Sequence, residues 1–312
     1  MDNYLTLVLG IITAGAGGEL FVRGLIGLTA WARIPAGIIG AIIAAFATSS
    51  PECAIAVSAA LTGTPQIALG DALGSNVVNV ALILALALLI SSMHVPRGSL
   101  KRDVPMAMLV PGLLAVLAFD GMLSRLDGAM LLVVFCTWLT ATVLEARRHR
   151  SAAERVLGEP RPGLALVSSL GGLTCLIVAG RLIVTGAQGV ALAFGLDAFV
   201  IGATMVAVGT SIPELAITVI ARLRGHAELG LGTVLGSNIF NGLWIVGVVA
   251  TITPISVPWH ELVVGLGFGA ITIVLIFPAR DGLIGRGRGA LLLALYIVYM
   301  ATILTHSAGS SR

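Results

Sequence analysis

Charge is scarce in this chain: Asp, Glu, Lys and Arg make up only 11% of its 312 residues, against roughly 25% in soluble domains. That shortage excludes a soluble globule, which would lack the polar surface to stay in water, and it leaves no room for a large soluble domain. Cysteine is nearly absent. Cys53, Cys136 and Cys175 lie in separate apolar runs without the close spacing of a metal or redox motif. They read as small buried hydrophobes and imply no disulfide scaffold. Two intramembrane protease signatures are missing as well: no Tyr-Asp pair accompanies the Leu-Gly-Asp at Asp71, and no Gly-x-Ser-Gly occurs. No enzyme activity and no cofactor are expected. The first apolar run begins at Tyr4 and passes Leu20 without a basic leader or small-residue cleavage site, so it reads as a retained span.

What is present is hydrophobic: 57% of residues are apolar or aromatic and the mean hydropathy is +1.05. The pattern predicts an all-α polytopic membrane protein with ten spans near residues 4–31, 36–62, 67–92, 104–119, 127–146, 163–193, 198–221, 229–253, 260–278 and 287–306. Basic residues of the connecting loops alternate between the two sides. Fourteen fall on one side (Arg33, Arg97, Lys101, Arg102, Arg147, Arg148, Arg150, Arg155, Arg161, Arg222, Arg224, Arg280, Arg286 and Arg288), and only Arg125 and Arg312 on the other. The positive-inside rule then puts both termini outside and the central loop in the cytoplasm of a plasma (inner) membrane. Within that loop Glu145, Glu154 and Glu159 dilute the basic charge. It reads as a solvated connection, with no nucleic-acid or protein partner implied.

An internal repeat reorganises this picture. Thr48-Ser49-x-Pro51-Glu52 reappears as Thr210-Ser211-x-Pro213-Glu214, an offset of 162 residues. Gly70, Gly74, Ser75, Asn76 and Asn79 fall on Gly232, Gly236, Ser237, Asn238 and Asn241, and 17 of the 32 positions from Thr48 to Asn79 match without a gap. Composition bias alone does not reach that level. The chain reads as a duplication: a first five-helix half over 1–146, a cytoplasmic linker over 147–162, and a second half over 163–312. Five is odd, so the second copy enters the membrane in the opposite sense and the halves form an inverted repeat, with a site expected at their interface. The Gly-x-x-x-Gly pairs read mainly as close helix packing.

The repeated segments carry oxygen chemistry. Pro51 and Pro213 lack an amide N–H, so carbonyls near Ala45 and Ala207 are expected to lose their intrahelical partners. Thr48 and Glu52, and Ser75 and Asn79, are each four apart and can share a helical face; Thr210, Glu214, Ser237 and Asn241 supply the same types again. Two carboxylates with hydroxyls, amide oxygens and free carbonyls suit a hard cation such as Ca²⁺, which takes six to eight oxygens. Glu52 and Glu214 would neutralise one Ca²⁺, and an empty pair at mid-bilayer is unstable enough to demand refilling by Na⁺ or protons, the logic of an exchanger. A passive cation channel is the less favoured alternative.

On these residues the chain resembles the Ca²⁺/cation antiporter superfamily. "TSSPE" with "GDALGSNVVN", and "GTSIPE" with "GTVLGSNIFN", look like its paired α-repeats, and the match is closest to the Na⁺/Ca²⁺ exchanger branch of prokaryotic type. The resemblance implies ion ligands at Ala45, Thr48, Ser49, Glu52, Ser75 and Asn79 and at Ala207, Thr210, Ser211, Glu214, Ser237 and Asn241. It implies secondary-active exchange of Ca²⁺ for Na⁺ by alternating access, with the first and sixth spans moving against the core. Coupling to H⁺, or involvement of K⁺, is the alternative. Thr-Ser-x-Pro-Glu replaces the Gly-Asn-x-x-Glu of the proton-coupled branch, and Asn241 stands where K⁺-dependent relatives have Asp. Ala47 departs from the family glycine that Gly209 retains.

Two features break the repeat. Asp71, matched by Thr233, stands one and two turns from Ser75 and Asn79. It is expected either to line the external route to the site or to serve as a carboxylate near a helix N-terminus. Glu19, Arg23 and Arg181 are expected to form ion pairs between the first and sixth spans.

Overall fold

Lipid offers no hydrogen bonds to a backbone, so apolar runs close their amides within helices. The computed structural model describes residues 3–63, 65–152, 162–193, 207–257, 259–278 and 282–310, which are almost wholly helical. In chain order these form α1 (Asn3–Ala32), α2 (Ala36–Thr48), α3 (Ser50–Leu61), α4 (Pro65–Ile90), β1 (Met93–His94), α5 (Arg97–Leu117), β2 (Met122–Leu123) and α6 (Arg125–Ala152). Then follow α7 (Pro162–Ala193), α8 (Ala207–Thr210), α9 (Ile212–Leu223), α10 (Ala227–Ile252), β3 (Ile255–Ser256), α11 (Trp259–Leu275), β4 (Leu283–Ile284) and α12 (Arg286–Ser310).

The result is an all-helical, multi-pass membrane protein. Among the described residues six helices, α1, α4, α6, α7, α10 and α12, are long and apolar enough to cross a bilayer, and α2 with α3 makes a seventh as a bent pair. The other expected spans fall short for identifiable reasons. The helix containing 104–119 is α5, whose first two turns carry Arg97, Lys101, Arg102 and Asp103. In α11, which stands for 260–278, the apolar helix is shorter, Leu262–Leu275. Residues 198–206 of the expected span 198–221 lie outside the described residues. Helix α6 runs on to Ala152 and so takes in the first residues assigned to the 147–162 linker; residues 153–161 lie outside the described ones.

Helices α4 and α10 hold the centre. In their most apolar stretches 72% and 78% of residues are buried, against 35% or less in α1, α6, α7 and α12. Both contain wide π-helical turns, Val78–Leu84 and Phe240–Ile245, and α2 has another at Gly40–Ala44. Such turns concentrate at functional sites. Helix α10 meets α2 backbone to backbone: a Cβ on Gly232 or Gly236 would collide with the carbonyl oxygen of Gly37 or Ala41. Small residues at this crossing allow the approach. Phe46 of α2 packs on Phe240 of α10, ring centroids 4.5 Å apart.

Equivalent positions in the two halves behave alike. The backbone breaks at Ser49 (φ −84°, ψ 8°) and at Ser211 (φ −85°, ψ 8°), and Gly63 and Gly225 both turn the chain at φ 81°. Strand β1 pairs antiparallel with β4, Met93 opposite Ile284, and β2 with β3, Leu123 opposite Ile255. Each short ladder thus takes one strand from either half.

Several charges in the helical layer are paired, though not always as expected. Asp103 is fully buried and is gripped by Arg102 through two hydrogen bonds of 2.7 and 2.8 Å, while Trp138 Nε1 donates to it at 3.3 Å. Arg102 also donates to Glu145 at 2.7 Å, tying α5 to α6. Glu19 accepts from Arg23 at 2.5 Å and from Arg224 Nε at 3.1 Å, in place of Arg181, which is exposed. The reason is that α1 crosses α9 as well as α7, with Gly18 against Ala216 and Ile220. That crossing brings Glu19 to the end of α9.

Candidate cation site

Proline sets the local geometry. With no amide to donate, Pro51 and Pro213 are tolerated in the first turn of a helix rather than in its interior, so α2 stops and α3 restarts with a 46° bend, and α9 restarts after Ser211. A serine at such a restart ordinarily turns its hydroxyl back to cap the new helix. Neither Ser49 nor Ser211 does so. Ser49 Oγ instead donates across to Glu214 Oε1 at 3.3 Å, and Ser237 Oγ donates to the same oxygen at 3.4 Å.

Thr48 Oγ1 lies within hydrogen-bond reach of the carbonyl oxygens of Ala44 (3.0 Å) and Ala45 (3.3 Å), and its hydroxyl also interacts with the Glu214 carboxyl group of the other half. The expectation of a bare carbonyl at Ala45 is corrected. That oxygen also accepts from the Ser49 amide at 3.0 Å. After its π-helical turn α2 is α-helical from Ala45 to Thr48, and the carbonyl four residues before Pro51 belongs to Ala47. Ala207 begins α8, and the residues just before it lie outside the described ones.

Thr48, Ser49, Glu52, Ser75, Asn79, Ser211, Glu214, Ser237 and Asn241 are each 2% exposed or less. Thr210 is half-buried. Six of the oxygens in this group are buried without a hydrogen-bond partner among the described residues: Glu52 Oε2, Glu214 Oε2, Ser75 Oγ, Ser211 Oγ, Asn79 Oδ1 and Asn241 Oδ1. Leaving such a group unsatisfied costs about 1–3 kcal/mol, more when it is charged. Among the described residues no three His, Cys, Asp or Glu side chains gather as a metal cluster. Two carboxylates with neutral oxygens, and no nitrogen or sulfur donors, suit hard cations.

Comparison with known proteins agrees with that donor set. The model of the family described as sodium/calcium exchanger protein matches residues 3–144 and again residues 164–305. The chain belongs to this family. It is 34% identical over 284 residues to the inner membrane protein YrbG of Escherichia coli (strain K12), covering 86% of this chain and 87% of that one. With the sodium/calcium exchanger MaX1 of Methanosarcina acetivorans it shares 27% identity over 96% of this chain and 98% of the relative. Among solved structures, the sodium-calcium exchanger NCX_Mj superposes with a TM-score of 0.83 at 31% identity, over 96% of this chain and 98% of that one. Membership makes the protein a cation/Ca²⁺ antiporter; the family is one of transporters, not of enzymes.

In this exchanger-family chain the site is not symmetric. Ser49 and Ser237 both donate to Glu214, whereas their repeat equivalents Ser211 and Ser75 have no partner among the described residues. The Glu52 side is therefore the less satisfied one. Three residues escaped the sequence reading. Asn76 and Asn238 stood in the repeat without a role, yet they bridge α4 and α10. Thr218, fully buried and with no partner for its Oγ1 among the described residues, lies one turn beyond Glu214. Its spacing from Glu214 was a visible signal, but the repeat pairs it with Ala56, which hid it. Asp71 is half-buried on α4, one turn before Ser75.

Proposed function

We propose that this protein exchanges Ca²⁺ for Na⁺ by alternating access at one midplane site, with both Glu carboxylates on the Ca²⁺. The observation that carries the reading is the set of six buried, unpartnered oxygens, two of them on carboxylates, supplied by both halves of the chain. One Ca²⁺ balances Glu52 and Glu214. Thr48, Thr210, Ser49, Ser211, Ser75, Ser237, Asn79, Asn241 and the carbonyls of Ala45 and Ala207 complete the shells of Ca²⁺ or Na⁺. Either ion satisfies the same oxygens, so the two compete, and the cost of an empty carboxylate pair enforces exchange.

The architecture that serves this mechanism is ten spans in two inverted halves, 1–146 and 163–312. In support, the family model matches twice, and each β ladder joins the two halves. The basic loops favour a plasma (inner) membrane location with both termini outside and the central loop cytoplasmic. Helices α1 and α7, packed along each other at Gly172 and Phe21, move against the core. Asp71 lines the external route.

Na⁺ is favoured as counter-ion by the Thr-Ser-x-Pro-Glu motif and by the names of MaX1 and NCX_Mj. The test is ⁴⁵Ca²⁺ uptake into proteoliposomes under separately imposed Na⁺, K⁺ or H⁺ gradients. Uptake driven by the Na⁺ gradient is expected. Uptake driven only by pH replaces Na⁺ with H⁺, a K⁺ requirement adds a third ion, and uptake with no counter-ion makes the protein a channel. Asp71→Asn is expected to weaken external Ca²⁺ affinity; an unchanged value removes Asp71 from the route.

A further inference from the structure

Four asparagines form a reciprocal set of hydrogen bonds between α4 and α10. Asn76 Nδ2 donates to the Asn238 carbonyl at 3.1 Å, and Asn238 Nδ2 donates to the Asn76 carbonyl at 3.0 Å. Asn79 Nδ2 donates to Asn238 Oδ1 at 3.1 Å, and Asn241 Nδ2 donates to Asn76 Oδ1 at 3.2 Å. Asn76 and Asn238 thus use both ends of their amides. Asn79 and Asn241 use only the nitrogen, and the Oδ1 of each is buried without a partner among the described residues.

We propose that Asn76 and Asn238 are positioning residues that fix the amides of Asn241 and Asn79 with oxygen, not NH₂, toward the transported cation. This rests on the ligand assignment above. An asparagine amide is nearly the same shape either way round, so packing alone does not select its orientation. Electrostatics in this site selects the wrong one. Glu52 Oε2 and Glu214 Oε2 have no hydrogen-bond partner among the described residues, and an amide free to rotate would offer its NH₂ to such an oxygen within reach, because a bond to an ionised acceptor is the stronger kind. A flipped amide presents two N–H groups to the cation and competes with it for the carboxylate. The acceptor oxygens of Asn76 and Asn238 hold each NH₂ away from the site.

The geometry also explains why these positions recur in both halves. Each ligand amide is oriented by a residue of the opposite half, Asn241 by Asn76 and Asn79 by Asn238. Each orienting amide is itself anchored on the other's backbone carbonyl, an acceptor that does not depend on the partner's side-chain rotamer. With Asn76 and Asn238 only 8% and 5% exposed, water has little access to replace the bonds.

The test is equilibrium ⁴⁵Ca²⁺ binding and transport by the purified, reconstituted protein. Asn76→Ala is expected to raise the half-saturating Ca²⁺ concentration about tenfold, the factor for one Asn241 amide in ten pointing its oxygen inward, with maximal rate less affected. Asn76→Asp keeps an acceptor for Asn241 and is expected to retain affinity where alanine loses it. The decisive arm is the Asn241→Asp background. A carboxylate shows oxygen in either orientation, so adding Asn76→Ala there is expected to change affinity less than about twofold. Equal penalties in both backgrounds, equal loss in Asn76→Ala and Asn76→Asp, or unchanged affinity in Asn76→Ala overturn the proposal. Glu52→Gln run in parallel keeps the readings apart: if it leaves Ca²⁺ binding intact the site itself is wrong, whereas abolished binding with a silent Asn76→Ala defeats only the positioning role.

Discussion

Replacing Glu52 or Glu214 by Gln separates the charge of the site from its shape, and the predicted effect on stability changes sign with the ion. Gln has the length of Glu and keeps an oxygen able to accept from Ser49 and Ser237, which now donate to Glu214 at 3.3 and 3.4 Å. What it removes is one of two negative charges on side chains only 2% and 1% exposed. An acidic residue at mid-membrane carries a penalty of about 2.5–3.5 kcal/mol on insertion scales. Neutralising it in ion-free buffer should therefore stabilise the protein by about 1–3 kcal/mol, the smaller end applying where hydrogen bonds already offset part of the penalty.

With Ca²⁺ present the order reverses. At a concentration 100 times the wild-type Kd, binding stabilises the native state by about 2.7 kcal/mol. If loss of one carboxylate weakens binding about 100-fold, the same concentration only equals the variant's Kd and the gain drops to about 0.4 kcal/mol. Thermal unfolding of purified protein with and without Ca²⁺, at constant ionic strength, measures both quantities. A variant that gains as much from Ca²⁺ as the wild type refutes the ligand role. A variant less stable than wild type without ions refutes the claim that the carboxylates are a burden when unfilled and makes them structural.

Three further outcomes follow from the packing. Asp103→Ala should destabilise by about 1–3 kcal/mol, since it removes one of the two carboxylates that hold the Arg102 guanidinium and the acceptor of Trp138 Nε1 while leaving Glu145 in place; thermal unfolding reads this, and a loss below about 0.5 kcal/mol would show that Glu145 alone suffices. Glu19→Gln should shift stability by less than about 1 kcal/mol, because Glu19 and Arg224 are 31% and 45% exposed; a larger change measured in 0.5 M salt would show the pair to be more than a surface contact. Gly236→Val drives a side chain into Ala41 of α2, so it should destabilise by about 1–3 kcal/mol and weaken ⁴⁵Ca²⁺ binding by pushing Thr48 and Glu52 away from α10; intact binding would mean that this crossing does not set the site.

The parts of this site that were legible in the sequence are those with no inexpensive alternative. An acid in an apolar run needs a reason, and finding Glu52 again as Glu214 beside a second proline doubles the signal without any knowledge of contacts. Six of the expected spans, and a seventh as the bent pair α2 and α3, were legible for the same reason, because apolar length is a local property, whereas the ten-span count rested on shorter or more polar runs such as α5 and α11. What escaped depends on partners far away in the chain. Ser49 is marked by the repeated motif, but its partner across the halves is not visible until Glu214 is placed 3.3 Å from its hydroxyl. Ala45 reads as a broken carbonyl until the regular turn to Ser49 is seen. Glu19 could pair with any arginine near its depth, and the crossing of α1 over α9 selects Arg224. The asparagines sit between these cases. Repetition marked Asn76 and Asn79 equally, yet an amide has a donating and an accepting end, and its role depends on which end a neighbour occupies. Asn76 has both ends occupied by the other half of the chain, while the Asn79 oxygen has no partner among the described residues. Two residues with the same side chain, one turn apart and both repeated, are thus set apart by contacts that exist only once the halves are assembled.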